Sequence, residues 1–190
     1  MIGFLDKMKE NAEKYKDHLT FHDAVQTKGI TYGQFEYLSG KVYSYLQAKG
    51  IGKEDFVLIC LPRGIQPIIA LAGVWKNGSA FVIVEDNYAP ERIEYIKKDC
   101  GCKVVIDSET WLEIQSCDYK EGFEPVDEKA AAFAVYTSGT TGNPKGVVHE
   151  YGNIDRMIKS VTMTTCDQLA TSCNHRATNV QHFVNDIKGR

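Results

Sequence analysis

Short apolar runs alternate along this chain with longer segments in which apolar residues recur every three or four positions. The runs are of strand length and apolar at their centres, as strands buried on both faces of a sheet usually are. We predict four strands, at residues 56–61, 80–84, 103–107 and 130–136.

The segments that flank these runs carry helix start and stop signals. Residues 65–76 have helical periodicity and stop at Asn77-Gly78. Pro90 suits the first position of a helix, with Glu91 in its first turn and Gly101 beyond its end. Strands that alternate with helices imply βαβ units, so we predict an α/β fold with a parallel sheet flanked by helices.

Two further helices precede the first predicted strand. Residues 4–16 place their apolar side chains on one helical face. Thr31 and Gln34 match a capping box, which opens a second helix that stops at Gly50. Residues 108–129 show no comparable period, and we predict a polar connection there.

The composition and charge of the chain argue against some classes of function. The chain has 190 residues, of which 43% are hydrophobic and 25% charged, with a formal net charge of -3. That apolar share can fill a core, whereas mild acidity gives no support for binding nucleic acid or an anionic membrane. No apolar run has membrane-spanning length, and the amino terminus lacks the apolar region of a signal peptide. We predict a cytoplasmic protein that binds neither nucleic acid nor membrane.

The cysteine spacings do not indicate a metal site. Cys60 lies in an apolar run and is predicted to be a small buried residue, and Cys100-Gly101-Cys102 lacks Cys-x-x-Cys spacing. One cluster near the carboxyl terminus has zinc-binding residue types but none of the usual paired spacings: Cys166, Cys173, His175 and His182. We predict free thiols and no metal ligands.

The candidate chemistry lies directly after the fourth predicted strand. Residues 136–147 read Tyr-Thr-Ser-Gly-Thr-Thr-Gly-Asn-Pro-Lys-Gly-Val. Glycines allow the backbone to approach an anion closely, hydroxyl groups can donate hydrogen bonds to phosphate oxygens, and lysine adds a positive charge. The spacing differs from the Walker A loop, because Lys145 precedes a return into a strand rather than a helix. Ligands of such sheets bind beyond the carboxyl ends of strands, where this loop falls.

This string resembles the phosphate loop of the adenylate-forming (AMP-binding) enzymes. These comprise the amino-acid adenylation domains of nonribosomal peptide synthetases, the acyl-CoA synthetases and the luciferases. Two upstream segments resemble motifs of the amino-acid branch, residues 30–35 (Ile-Thr-Tyr-Gly-Gln-Phe) and residues 75–82 with residues 88–93 after them. We expect both to hold the sheet together without touching substrate, and Arg63 and Lys76 to be surface or packing residues.

The resemblance runs from about residue 17 to residue 160 and implies a division of the chain. Residues 1–160 would form the amino-terminal part of an adenylation domain. Residues 161–190 match nothing in the family pattern and form a tail of uncertain structure, in which residues 180–188 could make a short helix.

The family reaction is the attack of a carboxylate on the α-phosphate of ATP, which releases pyrophosphate and leaves an acyl-adenylate. The resemblance implies ATP and Mg²⁺, a small carboxylate substrate (most simply an amino acid) and a carrier protein for the full-length parent. Nucleotide phosphates would be bound by Thr137, Ser138, Gly139, Thr140, Thr141, Gly142 and Lys145. An alternative role for Lys145 is to pair with a nearby acidic residue and order the loop.

Two positions depart from the family pattern. Members commonly place a histidine where this chain has Tyr151, and His149 is then expected to be a partly exposed strand residue. A proline usual after the second motif is Ile83, which we expect a buried strand to accept.

The motifs leave three functions open. We expect an amino-terminal piece of an amino-acid-activating ligase that is inactive by itself, because the segments for the acyl pocket, the adenine contacts and the lid lysine are not recognised. One alternative is a piece of an acyl- or aryl-CoA ligase. The other is a non-catalytic nucleotide-binding or scaffold protein. No catalytic residue is assigned.

Overall fold

A computed structural model describes residues 3–23, 28–137, 144–158 and 160. The helices are α1 (Gly3–Lys14), α2 (Tyr32–Ala48), α3 (Ile65–Lys76), α4 (Pro90–Asp99), α5 (Ser108–Gln115) and α6 (residues 151–158). The strands are β1 (Leu19–Asp23), β2 (Lys28–Thr31), β3 (Phe56–Ile59), β4 (Ala80–Ile83), β5 (Val104–Ile106), β6 (Ala131–Thr137) and β7 (Lys145–Glu150). The predicted tail helix and the carboxyl-terminal Cys/His cluster lie outside the described residues.

All four predicted strands are present in one five-stranded sheet of order β5-β3-β4-β6-β7. The first four strands of that order are parallel, which confirms the predicted α/β class with a sheet flanked by helices. The fifth strand, β7, is antiparallel to β6, because a connection this short makes a hairpin and cannot make a crossover. A separate antiparallel hairpin joins β1 and β2.

The predicted helix boundaries follow from the local sequence. Thr31 caps α2 in a complete capping box with Gln34, and Gly50 beyond its end adopts φ +70°, where a side chain would be strained. Pro90 begins α4, as predicted, and Gly101 follows its end with φ +62°.

The prediction of a polar connection at 108–129 is wrong in its first part, which forms α5. The Asp107 carboxylate accepts a hydrogen bond from the Thr110 amide at 2.9 Å and caps the helix. Trp111 and Ile114 are its two buried side chains. The helix has only eight residues and two buried apolar side chains. A segment this short does not show a recognisable helical period in the sequence.

The two faces of the sheet carry separate cores. One face packs against α1, α2, α3, α5 and α6, with Trp75 of α3 at its centre. The indole of Trp75 donates to the carbonyl of Ala132 in β6 at 3.1 Å. The other face packs against α4 through Ile96. Within β3, Val57 and Ile59 belong to the first core and Leu58 to the second, as the two-residue period of a strand requires.

Two burial expectations need correction. Ile83 ends β4 with its side chain 38% exposed. The expectation that it lies in a buried part of the strand is therefore wrong. Cys60 is half-buried rather than buried, because β3 ends at Ile59 and the chain leaves the sheet there.

Among the described residues, no helix combines the length and apolar character needed to cross a membrane.

Candidate functional site

The candidate loop connects two neighbouring strands whose pairing brings its ends together. Thr137 ends β6, Lys145 begins β7, and these two residues face each other in the antiparallel register. Directly opposed residues of such a pair have Cα atoms about 4.5–5.5 Å apart. Five of the predicted phosphate-binding residues lie outside the described residues: Ser138, Gly139, Thr140, Thr141 and Gly142. The structure therefore shows where the loop starts and ends.

The loop leaves the sheet at the edge where the parallel strands end. β6 is parallel to β4, and β4 to β3, so their carboxyl ends lie on the same side as Thr137. This is the edge at which open α/β sheets bind their ligands. The predicted position of the loop is thus confirmed by the topology.

Both described ends of the loop present polar groups to solvent. The side chains of Thr137 and Lys145 are exposed. Within the part of the chain that the structure describes, no carboxylate forms an ion pair with Lys145, so the alternative in which an acidic residue holds it finds no support there. A hydroxyl and an ammonium group at facing positions can both donate hydrogen bonds to an anion.

Helix α4 holds the base of the loop through a contact that sequence reasoning missed. The Tyr136 hydroxyl donates a hydrogen bond to Asp99 Oδ2 at 2.6 Å, across 37 residues of chain. Burial, and then this hydrogen bond, raise the pKa of Tyr136. A Cβ on Gly146 would lie 2.9 Å from the Tyr136 ring, so glycine leaves room for that ring beside β7. No sequence pattern predicts that Asp99, at the end of α4, contacts Tyr136 of β6.

Arg63, Asp107 and Cys60 lie at the same edge of the sheet. Arg63, after β3, pairs with Glu85, after β4, at 2.9 Å, and its side chain is 71% exposed, as expected for a surface residue. Asp107, after β5, caps α5. Burial raises the pKa of the Cys60 thiol, and the negative charges of Asp86 and Asp107 raise it further. A cysteine in this setting is kept in its thiol form.

The two upstream motifs have structural contacts. Lys76 is buried and forms an ion pair with Glu36, which confirms a packing role. The Asn77 side-chain amide donates to the Ile51 carbonyl at 3.0 Å and thereby ties α3 to the segment that leads into β3.

The two departures after the loop have different environments. His149 is half-buried on β7, where its ring stacks on Phe133 with centroids 4.6 Å apart. This matches the expected strand histidine. Tyr151 is fully buried, and its hydroxyl donates to the Ser79 carbonyl at 2.9 Å.

Known proteins resemble this chain over most of its length. A model of the AMP-binding enzyme family matches residues 8–182, a longer stretch than the motifs alone indicate. Surfactin synthase subunit 1 of Bacillus subtilis (strain 168) is 30% identical over 171 residues, which is 82% of this chain and 5% of that protein. Nonribosomal peptide synthetase apmB of Penicillium brevicompactum is 29% identical over 138 residues, which is 64% of this chain and 6% of that protein.

A solved structure supports the fold. The inhibitor-bound N-terminal domain of FACL13 from Mycobacterium tuberculosis superposes with a TM-score of 0.70 at 25% identity, covering 79% of this chain and 44% of that one. The chain thus spans less than half of that structure and a small part of each sequence relative.

Proposed function

Because this chain belongs to the AMP-binding enzyme family, the adenylate-forming ligases, we propose that it serves the ATP-dependent activation of a carboxylate. The product would be an acyl-adenylate, with release of pyrophosphate. We further propose an amino acid as the carboxylate, because the relatives include a nonribosomal peptide synthetase and the upstream motifs resemble that branch. A carrier protein would then accept the activated amino acid.

The observation that carries this proposal is the pairing of Thr137 with Lys145 at the ligand edge of the sheet. The hairpin sets the two ends of the Ser/Thr/Gly loop side by side, and both side chains are exposed. In the proposed site, loop residues 137–142 and Lys145 hold the β- and γ-phosphates. Thr137 would donate its hydroxyl proton to a phosphate oxygen, and Lys145 would offset negative charge.

Charge governs the chemistry at such a site. A carboxylate that attacks the α-phosphate must approach a polyanion, so positioning and neutralisation of the phosphates lower the barrier. Lys145 supplies a charge-assisted donor, which binds phosphate more strongly than a neutral one. The Tyr136–Asp99 hydrogen bond keeps the base of the loop in place and so acts on position rather than on charge.

The donor groups fit a nucleotide whose phosphates carry Mg²⁺. Mg²⁺ usually keeps several waters and binds substrate phosphates with one or two carboxylates, so a dedicated protein cage is not needed. Among the described residues there is no group of three or more metal-ligating side chains. The hydroxyl and ammonium groups of Thr137 and Lys145 would contact phosphate oxygens, and the ion would share the remaining charge.

Nucleotide binding by the 190-residue chain tests the site. Isothermal titration with MgATP should show binding that Lys145→Ala weakens about 10-fold or more, because a hydrogen bond to a charged group contributes about 1.5–3 kcal/mol. Thr137→Val should weaken it less. Lys129→Ala is the matched control, since Lys129 is an exposed lysine beyond the opposite end of β6. Equal affinities for the two lysine variants would contradict the proposed site.

The 190-residue chain alone should show no exchange of radiolabelled pyrophosphate into ATP, and the same assay on the full-length parent separates the three functions. Exchange that depends on an added amino acid supports the proposal. Exchange that responds only to fatty or aryl acids would instead indicate a CoA ligase. ATP binding without exchange for any acid would favour a non-catalytic nucleotide-binding protein.

A further inference from the structure

The carboxyl-terminal end of α4 places two thiols side by side in a tight turn. Cys100 is the C-cap of the helix, Gly101 follows with φ +62°, and Cys102 comes next. The Gly101 amide donates to the Lys98 carbonyl at 3.3 Å, and the Cys102 amide donates to the Lys97 carbonyl at 3.2 Å. These two bonds define a Schellman motif.

The turn sets the distance between the cysteines. A left-handed helical residue turns the chain as tightly as a right-handed one, so the Cα atoms on either side of Gly101 are about 5.4 Å apart by helix geometry. A disulfide bridges Cα atoms about 4.4–6.8 Å apart. Both cysteines are free thiols and half-buried, and the Cys100 thiol donates a hydrogen bond to the Lys97 carbonyl at 3.6 Å.

The two thiols differ in acidity. The neighbouring Cys102 thiol lowers the pKa of Cys100, against the opposing effects of burial and of the Asp99 charge. The neighbouring Cys100, together with burial, raises the pKa of Cys102, and the charge of Lys97 and one backbone contact act in the other direction. Cys100 is therefore the more acidic thiol of the pair. The thiolate is the form that attacks a disulfide.

The turn is also open to a small reagent. No atom lies within 4 Å of the position that a Cβ on Gly101 would occupy, and Gly101 itself is exposed.

We propose that Cys100 and Cys102 form a reversible dithiol–disulfide pair in which Cys100 attacks low-molecular-weight disulfides and Cys102 resolves the product. The Cys100 thiolate attacks one sulfur of the small disulfide, forms a mixed disulfide and releases one small thiolate, which takes up a proton. The Cys102 thiol then loses its proton, attacks the Cys100 sulfur and releases the second small thiol. The protein dithiol is oxidised by two electrons, and the small disulfide is reduced to two thiols.

This site is independent of the proposed nucleotide chemistry, although it lies beside it in the fold. Asp99, the residue before Cys100, accepts the Tyr136 hydrogen bond at the base of the loop. Oxidation of the pair would therefore take place one residue from the contact between α4 and β6.

Incubation of the full chain with oxidised glutathione tests the proposal. Trypsin cleaves after Lys98 and Lys103 and so isolates both sulfurs in residues 99–103. We expect this peptide to lose two hydrogen atoms in mass, and dithiothreitol to restore them. Cys102→Ser should retain a mixed disulfide with glutathione on Cys100, and Cys100→Ser should leave Cys102 largely unmodified. Cys117→Ser, at another half-buried cysteine, should behave as wild type.

Two results would overturn the proposal. One is a peptide 99–103 that keeps both thiols under conditions in which Cys117 is glutathionylated. The other is a Cys102→Ser protein in which Cys100 reacts no faster than Cys117. Both readouts are made on variants whose far-ultraviolet circular dichroism matches wild type.

Discussion

The hydroxyl of Tyr151 donates a hydrogen bond to the carbonyl of Ser79 at 2.9 Å, across 72 residues of chain. Tyr151 is fully buried at the start of α6, and Ser79 lies in the turn between α3 and β4. The Tyr151 ring stacks near that of Phe4 in α1, with the ring centroids 6.2 Å apart. Tyr151, at the position where family members commonly carry histidine, thus connects the segment after the loop to the turn that leads into β4.

Tyr151→Phe should destabilise the protein by about 1–3 kcal/mol, because the variant loses this buried hydrogen bond while keeping the ring. Urea denaturation followed by circular dichroism measures the change. Tyr37→Phe is the matched control, since the Tyr37 side chain is 49% exposed. A Tyr151→Phe protein as stable as the control would show that the bond contributes nothing.

Alkaline pH should destabilise the protein. Burial raises the pKa of five tyrosines (Tyr43, Tyr45, Tyr119, Tyr136 and Tyr151), that of Tyr119 to about 12. Unfolded tyrosine ionises near pH 10, so above about pH 10 the unfolded chain binds fewer protons than the folded one, and stability falls as pH rises. The urea midpoint should drop between about pH 10 and pH 12, and tyrosinate absorbance should rise with unfolding. A midpoint that stays constant over this range would contradict the prediction.

Gly73→Ala should disrupt the packing of α3 on α2. A Cβ at this position would clash with the side chain of Val42 and lie 2.8 Å from the Ser39 carbonyl oxygen. Overpacking of this kind costs about 1–3 kcal/mol, which exceeds the gain of about 1 kcal/mol that alanine brings to a helix. Gly52→Ala, where the nearest atom lies at 3.7 Å, should leave the melting temperature nearly unchanged. Equal melting temperatures for both variants would refute this packing role.

Glu36→Gln should be strongly destabilising, because it leaves the Lys76 ammonium buried without its anion. The Lys76 side chain is 4% exposed and that of Glu36 18%. Removal of one partner of a buried pair costs about 3–5 kcal/mol, whereas Lys76→Met should cost less because the carboxylate that it leaves unpaired, that of Glu36, is the more exposed of the two charges. Glu94→Gln, in an exposed pair with Lys97, should have little effect on urea denaturation. The reverse order of the first two variants would argue against a buried charged pair.

Tyr136→Phe should lower stability by about 1 kcal/mol through loss of the bond to Asp99. Asp99→Ala should have a similar effect, and the double variant should be no less stable than the less stable single variant, because both changes break the same hydrogen bond. Additive losses in the urea series would show that the two side chains act independently.

Local rules account for most of the predicted elements. Thr31 with Gln34, Pro90 and Gly101 mark helix boundaries through backbone and side-chain groups within a few residues. The strands that begin at residues 56, 80, 104 and 131 are recognisable in the sequence as apolar runs, because both faces of the sheet are covered by helices. Helix α5 was not predicted, since its stability depends on the contacts of Trp111 and Ile114 with a core assembled from distant segments.

The features of the candidate site also fall into two groups, those that the local sequence determines and those that depend on the tertiary structure. Its loop chemistry, its place after a buried strand and its family resemblance all follow from the order of residues 130–147, because they depend on neighbours in sequence. The pairing of Thr137 with Lys145, the hydrogen bond between Tyr136 and Asp99 and the burial of Tyr151 depend on strand pairing and helix docking. Those contacts join residues from different strands and helices, so they stabilise the protein only after these elements have assembled.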